Sequence, residues 1–245
     1  MEVHRSVFPA RIPEMKLVKW SGLLLSLMLV SLSSYAQNNS LTKNLPDQSG
    51  YYPIDLGGQW TFELKEKNQI KTSVVTCDKT GKINNLDCVH LKSSENRLSC
   101  WIQKKGNVVN VVQTSRSILG LANLAISFDP PIPILKFPLT KGDTWSYQGW
   151  GRSFFLSKPL YVSYQNKGLE TLQLNGKSYQ AYRIEASYQV GNDPAKTQIS
   201  WYAQGLGFIH SHSDALEITL KKYSPSTRPQ AELSALGVPN TASQR

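Results

Sequence analysis

Cysteine is sparse in this chain. Three occur in 245 residues, Cys77, Cys88 and Cys100, and none forms a Cys-x-x-Cys pair. That excludes a thiol-redox dipeptide and the usual zinc frameworks. Histidine is also rare, with four in all. No Gly-x-Ser-x-Gly elbow is present, so a serine-hydrolase architecture has no sequence support. The glycines around Trp150, in "GWGRSFF", lack the strand–helix context of a phosphate-binding loop. The lysines and arginines are scattered, with no cluster of five or more. A formal charge of +10 therefore reads as solubility rather than as a nucleic-acid site, with anionic surfaces as a secondary option. After residue 36 there is no convincing amphipathic helix and no apolar run long enough to cross a membrane as a helix.

What is present begins with an address. "MKLVKW" from Met15 supplies two lysines, "GLLLSLMLVSL" from Gly22 is an apolar run of eleven residues, and "SSYAQ" places small residues at Ser34 and Ala36. This is the order of a secretory signal peptide, expected to be cleaved after Ala36, with Met15 as a possible true start. The run is too short to span a bilayer, and no cysteine sits at the cleavage point for a lipid anchor. Removing residues 1–36 takes away a net +2, leaving about +8. The expected location is periplasmic or secreted. An oxidising compartment permits a disulfide, and both Cys77–Cys88 and Cys88–Cys100 flank turn-rich segments that would bring them together. The spacing does not choose between them.

Residues 37–50 and 224–245 are polar and turn-rich, and read as a disordered leader and tail. The segment between them reads as strands. "ALEITLKKY" alternates strictly, with Leu216, Ile218 and Leu220 on one face. Asn175-Gly176 is a hairpin signal because both residues tolerate positive φ. Further turns are expected at Asn166 to Gly168 and at Gly191 to Pro194. Ser117 to Phe128 is either a strand pair or a short helix.

The chain also repeats itself. "YPIDLGGQWTF" at 52–62 aligns without a gap with "FPLTKGDTWSY" at 137–147, an offset of 85. Pro53, Gly57 and Trp60 match Pro138, Gly142 and Trp145. A second echo pairs Trp101 with Trp201 at an offset of 100. The expected organisation is a β unit at 51–125, a proline-rich linker at 126–136, and a second unit at 137–223. A motif used twice is most simply a turn that delivers a tryptophan into the core, with Pro53 fixing the approach and Gly57 the bend.

These motifs, with "DPPIPILKFPLTKGDTW" and "SWYAQGLGFI", resemble a bacterial exported family of unknown function. It includes the TapB-like proteins, with FPLxxGxxW and WYAxGxG patterns. The resemblance covers most of 51–213 and implies an envelope or secreted location. It also implies a β-rich, curved-sheet fold similar in appearance to lipoprotein-carrier domains, and it carries over no catalytic residue. The first unit departs from the pattern, with "CWIQKKG" where WYAxGxG would stand.

Two groups remain as candidate sites. His210, His212 and Asp214 lie two apart, so on a strand they share a face, an arrangement that suits zinc or copper. The positions at the same offset in the first unit are Asn110 and Val112, so the fold does not need histidine there, and an exposed strand running into a turn is the simpler account. The aromatics Trp150, Phe154 and Tyr161 fall outside the repeated signature and are free to meet a ligand; Trp60 and Trp145 read as core, and Trp201 as part of the repeated structural motif.

The expectation is therefore an all-β exported protein. Two related antiparallel units form curved sheets or a split half-barrel. The protein needs no cofactor and is non-enzymatic. It binds a hydrophobic or cell-envelope ligand, such as a lipid or glycan, or an envelope protein. A purely structural or assembly role in the envelope is the alternative, and a metal-dependent hydrolase using His210 and His212 comes third. An apolar cavity supports the first, and a fully packed core opposes it.

Overall fold

The computed structural model describes residues 48–226, except 68, 95–97, 119–121 and 155. The expected signal peptide, most of the leader and most of the tail lie outside the described residues. A short 3-10 turn at Ser49–Tyr51 is followed by twelve strands. They are β1 (Gln59–Glu66), β2 (Gln69–Ile83), β3 (Leu86–Ser93), β4 (Leu98–Lys105), β5 (Val108–Ile118) and β6 (Ala122–Lys136), then β7 (Thr144–Arg152), β8 (Ser157–Leu174), β9 (Lys177–Val190), β10 (Lys196–Ala203), β11 (Gly207–Ser213) and β12 (Glu217–Ser224). Each strand pairs antiparallel with the next, and β1 pairs with β12, so the sheet is a closed up-and-down barrel. Closure corrects the split half-barrel expected from sequence. It satisfies the edge backbone groups that two open sheets would leave unpaired.

The wall is discontinuous along part of the β6–β7 seam. β6 and β7 pair only along Ser127–Asp129 and Trp150–Arg152. Beyond that point β6 contains Pro130, Pro131 and Pro133, which carry no N–H to donate. Its remaining residues keep their register with β5 instead, as in Ile132 opposite Val111. The stretch expected as a linker, 126–136, is thus the greater part of a strand.

Alternation sets inside from outside. In β7, Trp145 and Tyr147 are buried, while Thr144, Ser146, Gln148 and Arg152 face outward and are exposed. In β8, Val162 and Tyr164 are buried between exposed Tyr161, Ser163 and Gln165. Apolar residues inside and polar residues outside is the reverse of a membrane-spanning barrel, whose lipid-facing band is apolar. The interior is filled mostly by side chains such as Ile102, Ile126, Ile132, Leu135, Leu160 and Tyr202.

Because consecutive strands are antiparallel, the connections alternate between two rims. The first rim carries residues 48–58, the 137–143 connection and the turns at 84–85, 106–107, 175–176 and 204–206. Residues 48–50, expected as the end of a disordered leader, are tied down there: Gly205 donates to the Gly50 carbonyl at 2.8 Å, and the Leu139 N–H meets the Gln48 side chain. The second rim carries the turns after β1, β3, β5, β7, β9 and β11.

The turn expected at Asn166 to Gly168 is a β-bulge inside β8, where register shifts and Asn166 Oδ1 accepts from the Gly168 N–H at 2.8 Å. Asn175 and Gly176 do form a tight turn, with φ of 52° and 74°.

Candidate functional site

Trp60, Phe62 and Leu64 alternate along β1 and project into the barrel, where all three are buried. Beside them β2 contributes Ser73 and Val75, β3 contributes Leu91 and Ser93, and β4 contributes Leu98, Cys100 and Ile102. The space they leave is closed toward the first rim by Tyr52, Pro53 and Ile54 and by Leu206 and Phe208 from the β10–β11 turn. It is a cavity of about 130 Å³. An apolar cavity of roughly 150 Å³ stays dry and admits a benzene ring, so this one has room for a ring or a short length of alkyl chain.

The lining carries no ionised group. Its hydroxyls include Ser73 and Ser93, which satisfy each other at 2.6 Å. Desolvation pushes the Cys100 thiol and the Tyr52 phenol up from their ordinary values, so both stay neutral. A neutral, greasy lining rewards burial of hydrocarbon and penalises a charge. Leu64, Leu98 and Ser93 lie at strand ends, so the cavity extends to the second rim.

Trp60 has two roles here. Its Nε1 donates to the Leu206 carbonyl at 2.9 Å, and its ring stacks on Tyr223 with centroids 5.2 Å apart. That is the structural anchoring expected of the repeated motif, yet the same ring lines the cavity. Its counterpart Trp145 stacks on Tyr164 at 5.9 Å, and its Nε1 is buried with no hydrogen-bond partner. The Tyr164 hydroxyl and Gln198 Oε1 are buried without partners as well. They face the interior on the side of β7–β10, so that half of the barrel is more polar than the half beside the cavity.

The aromatics singled out from sequence are elsewhere. Trp150 and Tyr161 face outward, and Phe154 lies in the β7–β8 turn. None lines the cavity. The cavity is lined instead by Trp60, which the sequence assigns to the core, and by strand residues it does not single out for a ligand, because alternation marks a buried position but not whether the space beside it is filled.

The histidine group does not assemble. His210 is buried against Trp201, with centroids 5.0 Å apart, and its Nδ1 lies 3.1 Å from Thr219 Oγ1. His212 is exposed, one outward position further along. Asp214 lies in the turn beyond β11. Among the described residues no group of three or more His, Cys, Asp or Glu could hold a metal ion. Strand register also corrects the equivalence drawn by offset. Trp101 lies opposite Gln113 and Trp201 opposite His210, so Gln113 is the counterpart of His210.

The cysteines are all free and buried. Cys77 and Cys100 both lie opposite Leu91, one strand on either side of it, while Cys88 lies opposite Gly81. Neither expected pair faces across its hairpin. A bulge at Asp78 accounts for part of this, since it shifts the β2 register between Cys77 and Lys79. The same bulge places Asp78 Oδ1 at 2.6 Å from His90 Nδ1, and the His90 ring lies against Trp101 at 4.6 Å.

No family model matches the chain, and no curated protein matches it. The TapB-like resemblance therefore rests on its motifs alone. Solved structures with a similar shape include a protein from Bacteroides fragilis described as exported and of YmcC-like fold (12% identity, TM-score 0.43, covering 71% of this chain and 98% of the other). A second, described as a lipoprotein from Parabacteroides distasonis, is 6% identical with a TM-score of 0.44 and covers 71% and 98%. The hypothetical lipoprotein YmcC of Escherichia coli is 13% identical with a TM-score of 0.37 and covers 77% and 99%.

Proposed function

We propose that this is an exported, non-enzymatic protein that holds a hydrocarbon group inside a water-surrounded β-barrel. The observation that carries the proposal is the uncharged cavity between Trp60, Phe62, Leu91 and Ile102, reaching from the plugged first rim to the second. The polar outer face supports a barrel that stands in water rather than in lipid. The amino-terminal signal pattern supports export. An envelope lipid suits the lining better than a glycan, because a sugar needs polar partners that the cavity does not offer. Its volume fits the end of an acyl chain or a ring, with the rest of the molecule beyond the mouth.

Native mass spectrometry of the protein purified from its own host tests this. A co-purified lipid, lost in the cavity-filling variants Val75→Phe and Ser93→Phe while melting stays close to wild type, is the expected result. Protein that arrives empty and binds no fluorescent fatty acid would favour the assembly role. Two different cavity-filling substitutions are needed because either one alone risks an overpacking penalty of about 1–3 kcal/mol.

A further inference from the structure

Among the described residues six large apolar side chains are exposed, and four of them belong to the β7–β8 hairpin: Trp150, Phe154, Leu156 and Tyr161. Phe154, in the turn, is 90% exposed and Leu156 is 43% exposed. Next along the hairpin come Arg152, which faces Ser157 on the outer side and forms an exposed ion pair with Asp129 at 3.2 Å, and Lys158, which lies on the inner side opposite Gly151. Behind these come Trp150, opposite Pro159, and Tyr161, opposite Gln148, both on the outer face and each more than 40% exposed. The order from the tip inward is therefore aromatic and aliphatic side chains, then cations, then an amphipathic Trp–Tyr pair.

That is the depth order of a bilayer interface. Hydrocarbon enters the acyl boundary, cations meet phosphates, and Trp and Tyr rings sit at headgroup level. A second exposed apolar side chain stands at the same rim. Ile70, 66% exposed, lies in the β1–β2 hairpin opposite Lys65 and next to Lys71. β1 and β7 are six strands apart in the closed ring, so the two hairpins stand on opposite sides of one opening. With residues 1–36 removed the chain keeps a formal charge of about +8. Basic residues stand beside both tips, Lys65 and Arg152 in exposed ion pairs with Glu217 and Asp129. That balance is complementary to an anionic surface.

We propose that the second rim docks on an anionic phospholipid bilayer, with Phe154 and Leu156 as the principal insertion and Ile70 as a second contact. The proposal does not depend on the cavity, and it would stand if the cavity proved empty.

Co-sedimentation of the purified protein with vesicles tests it, comparing phosphatidylcholine alone with phosphatidylcholine containing phosphatidylglycerol. The wild type is expected to bind the phosphatidylglycerol vesicles more tightly, and added salt should weaken the binding. The double variant Phe154→Asp, Leu156→Asp should lose binding by about tenfold or more with unchanged melting, because two charges replace the inserted side chains. Arg152→Gln and Lys158→Gln should each cost about fivefold and reduce the salt dependence. Three outcomes overturn the proposal. One is a wild type that ignores both vesicle types, and another is binding that the double variant leaves intact. The third is a wild type that ignores vesicles but self-associates through this hairpin, which would assign the hairpin to a protein contact.

Discussion

Gly57 and Gly142 hold the same backbone conformation, with φ of 93° and 92°. Each uses its N–H in the same way: Gly57 donates to the Cys77 carbonyl at 2.7 Å and Gly142 to the Asn166 carbonyl at 2.8 Å. The acceptors answer in kind. The Cys77 N–H bonds the Gly58 carbonyl at 3.0 Å, and the Asn166 N–H bonds that of Asp143 at 2.8 Å. Both acceptor residues also open a bulge in their strand. The two Pro–Gly–Trp turns are therefore built alike. That likeness also isolates what the glycine does. At Gly142 an added Cβ would meet no heavy atom within 4 Å, so a substitution costs conformation alone. Gly142→Ala should lower stability by about 1–2 kcal/mol in urea unfolding. An unchanged midpoint would show that the turn relaxes freely and that the shared φ has no energetic weight.

The paired tryptophans allow a cleaner comparison. Trp60 donates from Nε1 to the Leu206 carbonyl, whereas Trp145 buries the same group without a partner. Replacement by phenylalanine removes comparable ring volume at both sites but removes a hydrogen bond only at Trp60. Trp60→Phe should therefore be the more destabilising change by about 0.5–1.5 kcal/mol, the net worth of one hydrogen bond to a half-buried acceptor. Trp60→Ala should lose about 3–5 kcal/mol and enlarge the cavity. Equal losses for the two phenylalanine variants in chemical denaturation would remove the Leu206 bond from the account.

Much of the fold is legible in short windows. The alternation at Leu216, Ile218 and Leu220, the Asn175-Gly176 turn and the twin Pro–Gly–Trp segments each lie within about ten residues, where period-two patterning and turn chemistry act. What escapes depends on distance in sequence. Closure requires Trp60 to meet Tyr223 across the β1–β12 seam, and no local pattern marks that pairing. Proline in "DPPIPIL" suggests a linker, yet those residues need only one hydrogen-bonded neighbour in β6 and find it in β5. The cavity is the least legible feature. Ser73, Val75, Leu91 and Ser93 are ordinary strand residues until β1 and β4 are placed around them.

The cysteines give a chemical test of the register. With Cys88 on the opposite strand face from Cys77 and Cys100, the protein should carry three thiols and no disulfide even when produced in an oxidising compartment. Desolvation raises the Cys77 thiol to about 12 and raises Cys88 and Cys100 as well, so few thiolates exist near neutrality. Iodoacetamide should leave the native protein unmodified for hours and add three groups after denaturation without reductant. A native mass two hydrogens lighter, with one thiol released on denaturation, would establish a pair that the register does not allow.

His210 ties stability to pH. Burial against Trp201 holds its imidazole below the ordinary 6.5; Glu217 opposes that shift and His212 adds to it. The folded state therefore takes up the proton less readily than the unfolded chain. Wherever the unfolded state binds more protons, stability rises with pH. The contribution of His210 is fully present above the unfolded value of 6.5, is lost progressively as pH falls below it, and levels off once the folded imidazole also titrates. The urea midpoint should fall between about pH 7.5 and about pH 5, over the range where an unfolded histidine charges. His210→Gln adopts the side chain found at the register-equivalent position, Gln113, and cannot titrate. It should flatten that segment of the profile while leaving the alkaline stability near wild type. A variant whose midpoint falls with pH as steeply as the wild type would move the proton uptake to another group.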